Sequence, residues 1–149
     1  MAANMQAPVT LVHRVAATEA DDTIELPFEA RQKARQRIVL RSGREAFVKL
    51  NRGSVLRGGD CLASAEGFVV RIGSALEALS EVTGGDDATL ARAAYHLGNR
   101  HVWVEIGQDS VRYQRDHVLD HMLEQLDFCV THIDAPFEPE AGAYDGHSH

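Results

Sequence analysis

The chain has 149 residues, 44% of them hydrophobic and 25% charged, with a formal net charge of −7. That composition fits a globular protein with enough apolar material for one core or two small ones. No apolar run approaches the roughly 20 residues of a membrane span, and the opening MAANMQAPVT has neither the basic start nor the apolar core of a secretory signal, so a cytoplasmic protein is expected, without membrane contact. In chain order, IVL (38–40), the turn-forming Ser42 and Gly43, and EAFVKL (45–50) predict a hairpin. LRGGD (56–60) and AEG (65–67) punctuate the approach to a further strand, FVVRI (68–72).

The period changes in the second half. EALSEV (77–82) reads as a strand, GGDD breaks it, and Asp87 is placed to cap a helix whose Leu90, Ala93, Ala94 and Leu97 share one face. Gly98 suits the left-handed position past a helix end. In HVWVEI, Val102, Val104 and Ile106 alternate onto one strand face and turn His101, Trp103 and Glu105 to the other. GQDS (107–110) makes a turn into VRY, and Asp116 is placed to cap a second helix striped with Val118, Leu119, Met122, Leu123 and Leu126. VTHID (130–134) closes the series as a strand.

The fold class is therefore α+β: a small all-β, barrel-like domain over residues 1–74, then a ferredoxin-like β-α-β-β-α-β domain over 75–149, of which 136–149 form a flexible histidine-containing tail. In such a layer one sheet face is left uncovered, and the only tryptophan, Trp103, points to a partner surface there. If that partner is a second copy around a two-fold axis, a residue near the axis meets its own image, and one histidine per chain becomes two ligands.

Charge separates the halves as well. Through residue 74 there are 11 Lys/Arg against 8 Asp/Glu, whereas residues 75–149 hold 4 against 14, together with most of the histidines. Such an acidic, imidazole-rich half attracts cations. The basic run within 31–57 raises nucleic-acid binding, but no stacking aromatics are interleaved with it and no recognition motif is present, so solvated strand faces or a docking surface for an acidic protein are the stronger readings. Cys61 and Cys129 form no CxxC pair and are read as reduced thiols.

The histidines carry the chemistry. In HLGNRH (96–101) the two imidazoles lie five positions apart, about 140° around a helix, and cannot share an ion. His96 falls in a last helical turn and is read as structural, whereas His101 lies in the next element. His117 and His121 do share a helix face, with Glu124 one turn on. That spacing is similar to a zincin, but Val118 stands where HExxH carries its general base, so a zinc hydrolase is the weaker alternative. His13 and His132 are read as structural or solvated. No phosphate loop and no nucleophile elbow occurs, and no catalysis is expected.

AAYHLGNRHV, the DHVLDHML helix and APFEPEAGAY before a histidine-bearing terminus resemble the UreE family of urease accessory nickel chaperones, and LNRGSVLRGGDCL upstream resembles that family's first domain. The resemblance implies a homodimer holding Ni²⁺ between its copies through the histidine of GNRH, here His101, with the urease accessory GTPase and the urease apoprotein activation complex as partners. It also implies a β-domain for protein contacts, and accessory histidines around the start of the second helix. His117 matches such a position, while Arg115 stands where some members have histidine. His147 and His149 in YDGHSH, two residues apart on a Gly/Ser-containing tail, can both turn toward one ion, and imidazole suits Ni²⁺, Cu²⁺ and Zn²⁺ alike. Protons compete for the same nitrogens, so affinity is expected to fall in acid.

Overall fold

Short apolar runs in the first half of the chain become six strands: β1 (Val9–Val15), β2 (Asp22–Leu26), β3 (Arg35–Val39), β4 (Glu45–Lys49), β5 (Cys61–Ser64) and β6 (Val69–Ser74), with a single helical turn, α1 (Phe28–Arg31), after β2. The computed structural model describes residues 6–142, in two units that meet in sequence at Ala75 and Leu76. In the first unit the sheet order is β2-β6-β5-β1-β4-β3. β1 pairs with β4 and β2 with β6 in parallel, and the other neighbours are antiparallel. The two outer strands converge where the Arg41 N–H donates to the Thr23 carbonyl at 2.8 Å, so the sheet curls into a nearly closed barrel. Its inside is filled by Leu11, Ile38, Ala46, Val48, Leu56, Leu62, Val70 and Ile72.

The predicted hairpin is β3 and β4, turned through Gly43 at φ 97°. That angle lies in the left-handed region, which glycine adopts without steric cost. The all-β expectation is amended by α1, where Arg31, part of the basic run, is fully buried. Its guanidinium donates to the carbonyls of Leu26 at 3.1 Å and Leu56 at 3.2 Å. It also lies 5.4 Å from the Phe28 ring.

The second unit runs β7 (Leu76–Thr83), α2 (Asp87–Asn99), β8 (Glu105–Ile106), β9 (Ser110–Gln114), α3 (His117–Gln125) and β10 (Val130–Pro136). This is the split β-α-β-β-α-β order, with a fully antiparallel sheet, β10-β7-β9-β8. The cap of α2 is Asp86 rather than Asp87: its carboxylate accepts from the Thr89 N–H at 2.9 Å, satisfying a donor that the first turn leaves free. Asp116 caps α3 as expected, accepting from Val118 at 2.8 Å and Leu119 at 3.2 Å. Ala93 and Leu97 of α2 and Leu119 and Leu123 of α3 pack with Val82, Val111 and Tyr113 of the sheet. The apolar stripe expected on α3 is narrower than its spacing implies. Val118 and Leu126 are exposed, and Asp120 is buried in their stead.

The opposite sheet face, expected to be uncovered, is partly covered by the chain's own C-terminal segment. Val82 and Val111 belong to the helix-side core, so Glu81, Arg112 and Glu105, one position off, point the other way. There Arg112 bridges Glu81 at 2.7 Å and Glu105 at 3.6 Å. After β10 the chain crosses this face from one sheet edge to the other: the Glu138 N–H donates to Glu105 Oε1 at 2.8 Å, and the Glu140 N–H to the Val104 carbonyl at 2.7 Å. Phe137 and Pro139 of this strap are buried. APFEPE is thus a strap across this sheet face.

Candidate functional site

The core-facing row of α2 ends at Leu97, fully buried, and the helix runs on through Gly98 to Asn99. Arg100 N–H donates to Leu97 and His101 N–H to Gly98, each at 3.0 Å. The left-handed position expected of Gly98 falls to His101, at φ 58°. That conformation costs a residue with a Cβ roughly 1 kcal/mol, and histidine is among the types that tolerate it. Two expectations are corrected by this. Regular pairing starts only at Glu105, so His101 does not share a strand face with Trp103 and Glu105. It stands instead at the exposed corner where α2 ends. Trp103 is half-buried and lines a hollow with Tyr113, Arg115, Asp116 and Leu119.

His96 lies in the last turn of α2. Its ring meets Tyr95 edge-on, with centroids 5.3 Å apart, and Phe128 at 6.4 Å. His147 and His149 lie outside the described residues. The strap nevertheless sets where the chain to them starts, because Glu140 is bonded to Val104, three residues beyond His101. His147 is seven residues past Glu140, and seven residues span at most about 25 Å.

A second set of polar groups went unrecognised in the sequence. Asp120, buried on α3, accepts from Tyr113 Oη at 2.6 Å and Ser80 Oγ at 2.7 Å, and pairs with His132 Nε2 at 2.7 Å. Burial alone would raise the Asp120 pKa, but donation from Tyr113, Ser80 and His132 outweighs it and holds the carboxyl below its usual range. Burial, with the Asp120 carboxylate alongside, pushes the Tyr113 hydroxyl far above its ordinary value. His132 is thus engaged rather than merely solvated. Nothing in VTHID announced this, since its partner is an aspartate that reads as polar helix surface. His117, His121 and Glu124 line one cleft with Asp120, Val130 and His132. Among the described residues no three His, Cys, Asp or Glu side chains converge on an ion-sized space as they stand.

Several arginines of the 31–57 segment are already engaged. Arg31 is buried as described, Arg37 pairs with Glu45, and Arg44 lies 4.6 Å from the Phe68 ring. Arg57 lies 5.7 Å from the Phe28 ring. Fewer charges are therefore available to phosphates than the composition implies.

Fold and site together define a two-part α+β protein whose second unit places one histidine at an exposed, strained corner and ties its C-terminal strap to Val104, three residues on. Residues 5–75 match the family model described as UreE urease accessory protein, N-terminal domain, and residues 77–149 match the corresponding C-terminal domain. A urease accessory protein UreE of Alkalilimnicola ehrlichii is 54% identical over 139 residues, covering 93% of this chain and 85% of its own length. One from Citrobacter koseri is 52% identical over 128 residues, 85% of this chain and 84% of that protein. One from Pseudomonas putida is 53% identical over 128 residues, 85% of this chain and 80% of that protein. The chain belongs to the UreE family of urease accessory proteins. No helix among the described residues is long and apolar enough to cross a membrane.

Proposed function

We propose that this protein is a cytoplasmic nickel carrier for urease maturation. It works as a homodimer in which His101 of each copy grips one Ni²⁺, and His147 and His149 complete or relay the coordination. The ion is cargo, held through neutral imidazoles without thiolates, so that binding is firm yet reversible; Zn²⁺ and Cu²⁺ suit the same donors. Residues 1–74 serve protein contacts with the urease accessory GTPase and the urease apoprotein complex, and residues 75–149 bind metal and dimerise. No reaction is assigned to the chain. Val118 leaves the His117 and His121 pair without the general base of a zincin.

The observation that carries this reading is the hydrogen bond from Glu140 to Val104, which ties the chain leading to His147 and His149 to a point three residues from the exposed His101. Seven residues are contour enough for His147 to return to that corner. The test is calorimetric Ni²⁺ titration of the full chain, with its mass in solution measured alongside. His101→Ala is expected to remove the tightest step, one ion per dimer, and to leave the far-UV spectrum unchanged. Removal of residues 144–149 is expected to weaken that step without abolishing it. Unchanged tight binding in His101→Ala, or a monomeric mass in the presence of Ni²⁺, overturns the reading.

A further inference from the structure

The outer face of the first unit carries a hollow where the two rims of its sheet meet. Leu26, Ile38, Leu40 and Ile72 turn into the barrel core, so the residues that alternate with them turn outward. These are Val39 and Arg41 on one rim, Thr23 and Glu25 on the other, and Arg71 and Gly73 on the strand next to it. All six line one hollow of about 620 Å³, within the range of about 300–1,000 Å³ common to ligand pockets. A Cβ at Gly73 would stand 3.3 Å from Glu25 Cγ, so the missing side chain leaves Glu25 room to lie over that position.

Charge in the hollow is not spent internally. Elsewhere in this unit Arg14 pairs with Asp60 and Arg37 with Glu45. Among the described residues Arg41 makes no ion pair, and Arg71 gives only one long bond, 3.4 Å to the Ala17 carbonyl. Val39 is 57% exposed, a large apolar side chain left in water beside them. Two guanidiniums, one bare valine and one carboxylate therefore share the space.

We infer that this hollow is the docking site for an acidic, partly apolar segment of a partner protein. Its carboxylates meet Arg41 and Arg71, whose planar forks suit them, and an apolar side chain covers Val39. This rests on the proposed role of residues 1–74 in protein contacts, and gives that role a place and a chemistry. A nucleic acid fits less well, because no aromatic side chain lines the hollow to stack a base and Glu25 repels a phosphate chain. The Arg41 N–H is already bonded to the Thr23 carbonyl, so at this seam recognition falls to side chains rather than to a strand edge.

The test titrates the full chain into a fluorescein-labelled peptide, Glu-Glu-Leu-Glu-Glu-Leu, followed by fluorescence anisotropy. Saturable binding is expected, weakening as salt is added. Arg41→Ala and Arg71→Ala should each weaken it about 2- to 5-fold, as partly exposed ion pairs do. Glu25→Gln should strengthen it, because a like charge is removed. Amide NMR shifts on binding should centre on Thr23, Val39, Arg41 and Arg71. The substituted side chains lie outside the barrel core, and unchanged urea midpoints check that the fold is kept. A Kd above about 1 mM overturns the proposal, as does equal affinity for Lys-Lys-Leu-Lys-Lys-Leu or unchanged binding in both arginine variants. Displacement of the peptide by hexathymidylate at equal affinity overturns it in favour of phosphate recognition. His101→Ala should leave peptide binding unchanged, so failure of the nickel reading would appear in the Ni²⁺ titration and failure of the docking site in this one.

Discussion

Replacing Tyr113 by Phe removes one oxygen from a fully buried ring and leaves the packing volume almost unchanged. The lost group is the 2.6 Å donor to Asp120, and a hydrogen bond to a charged partner contributes about 1.5–3 kcal/mol. Ser80 and His132 remain on the carboxylate, which keeps the cost inside that range rather than at the larger penalty of a stranded charge. With a urea m-value of about 1–3 kcal/mol/M, the unfolding midpoint should fall by on the order of 1 M. Denaturation followed by circular dichroism at pH 7 measures this directly, and repetition at other pH values isolates the cause. The raised Tyr113 pKa means that its contribution is complete below the ordinary value of 10.0 and is lost as pH rises above it, so the gap between wild type and variant should close in alkali. The depressed Asp120 pKa works in the opposite direction. Its contribution is complete above the ordinary 3.8 and is lost as pH falls through the lowered value, and with one donor gone the folded-state pKa is less depressed, so the acid loss should be smaller and complete at a higher pH in the variant. An unfolding free energy within about 0.5 kcal/mol of wild type at pH 7 would refute the assigned energetics.

Arg31→Met should destabilise the first unit, because the Leu56 carbonyl loses its guanidinium donor at a cost of about 1–3 kcal/mol for an unsatisfied group, while the Leu26 carbonyl keeps the Ala75 N–H; the loss is read as a lower urea midpoint. His101→Gly relieves the left-handed backbone, so its stability should lie within about 1 kcal/mol of wild type while the tight Ni²⁺ step disappears; a large loss of stability would make the residue structural. Glu105→Ala removes the acceptor for the strap, so hydrogen exchange at the Glu138 amide should accelerate while core amides of β7 and β9 keep their protection.

Where one short rule governs a segment, the sequence was legible. Alternation with a Ser-Gly turn revealed the β3–β4 hairpin, and an aspartate before an apolar stripe revealed α3. β5 was missed because all four of its residues are buried in the middle of the sheet, which leaves no alternation to read. The parallel pairing of β1 with β4 depends on contacts far apart in sequence, which periodicity does not register. The stretch after GNRH misled for a different reason. Val102, Val104 and Ile106 alternate as a strand does, but the Val104 carbonyl takes its partner from the strap and only Glu105 and Ile106 join the ladder. The Asp120 network was illegible because Ser80, Tyr113, Asp120 and His132 sit on four separate elements, each an ordinary polar residue until folding brings them together.

The Arg41 to Thr23 contact has a consequence for the protein's behaviour in a crowded solution. Free strand rims act as templates on which other chains can zip up into aggregates. Here the two rims of the six-stranded sheet shield one another at that contact, and the exposed Arg35, with the Arg37–Glu45 ion pair beside it, puts charged side chains along the rim that remains. A protein that must meet partners repeatedly and let them go can therefore present this unit with little tendency to stick by backbone pairing, leaving side chains to choose the partner.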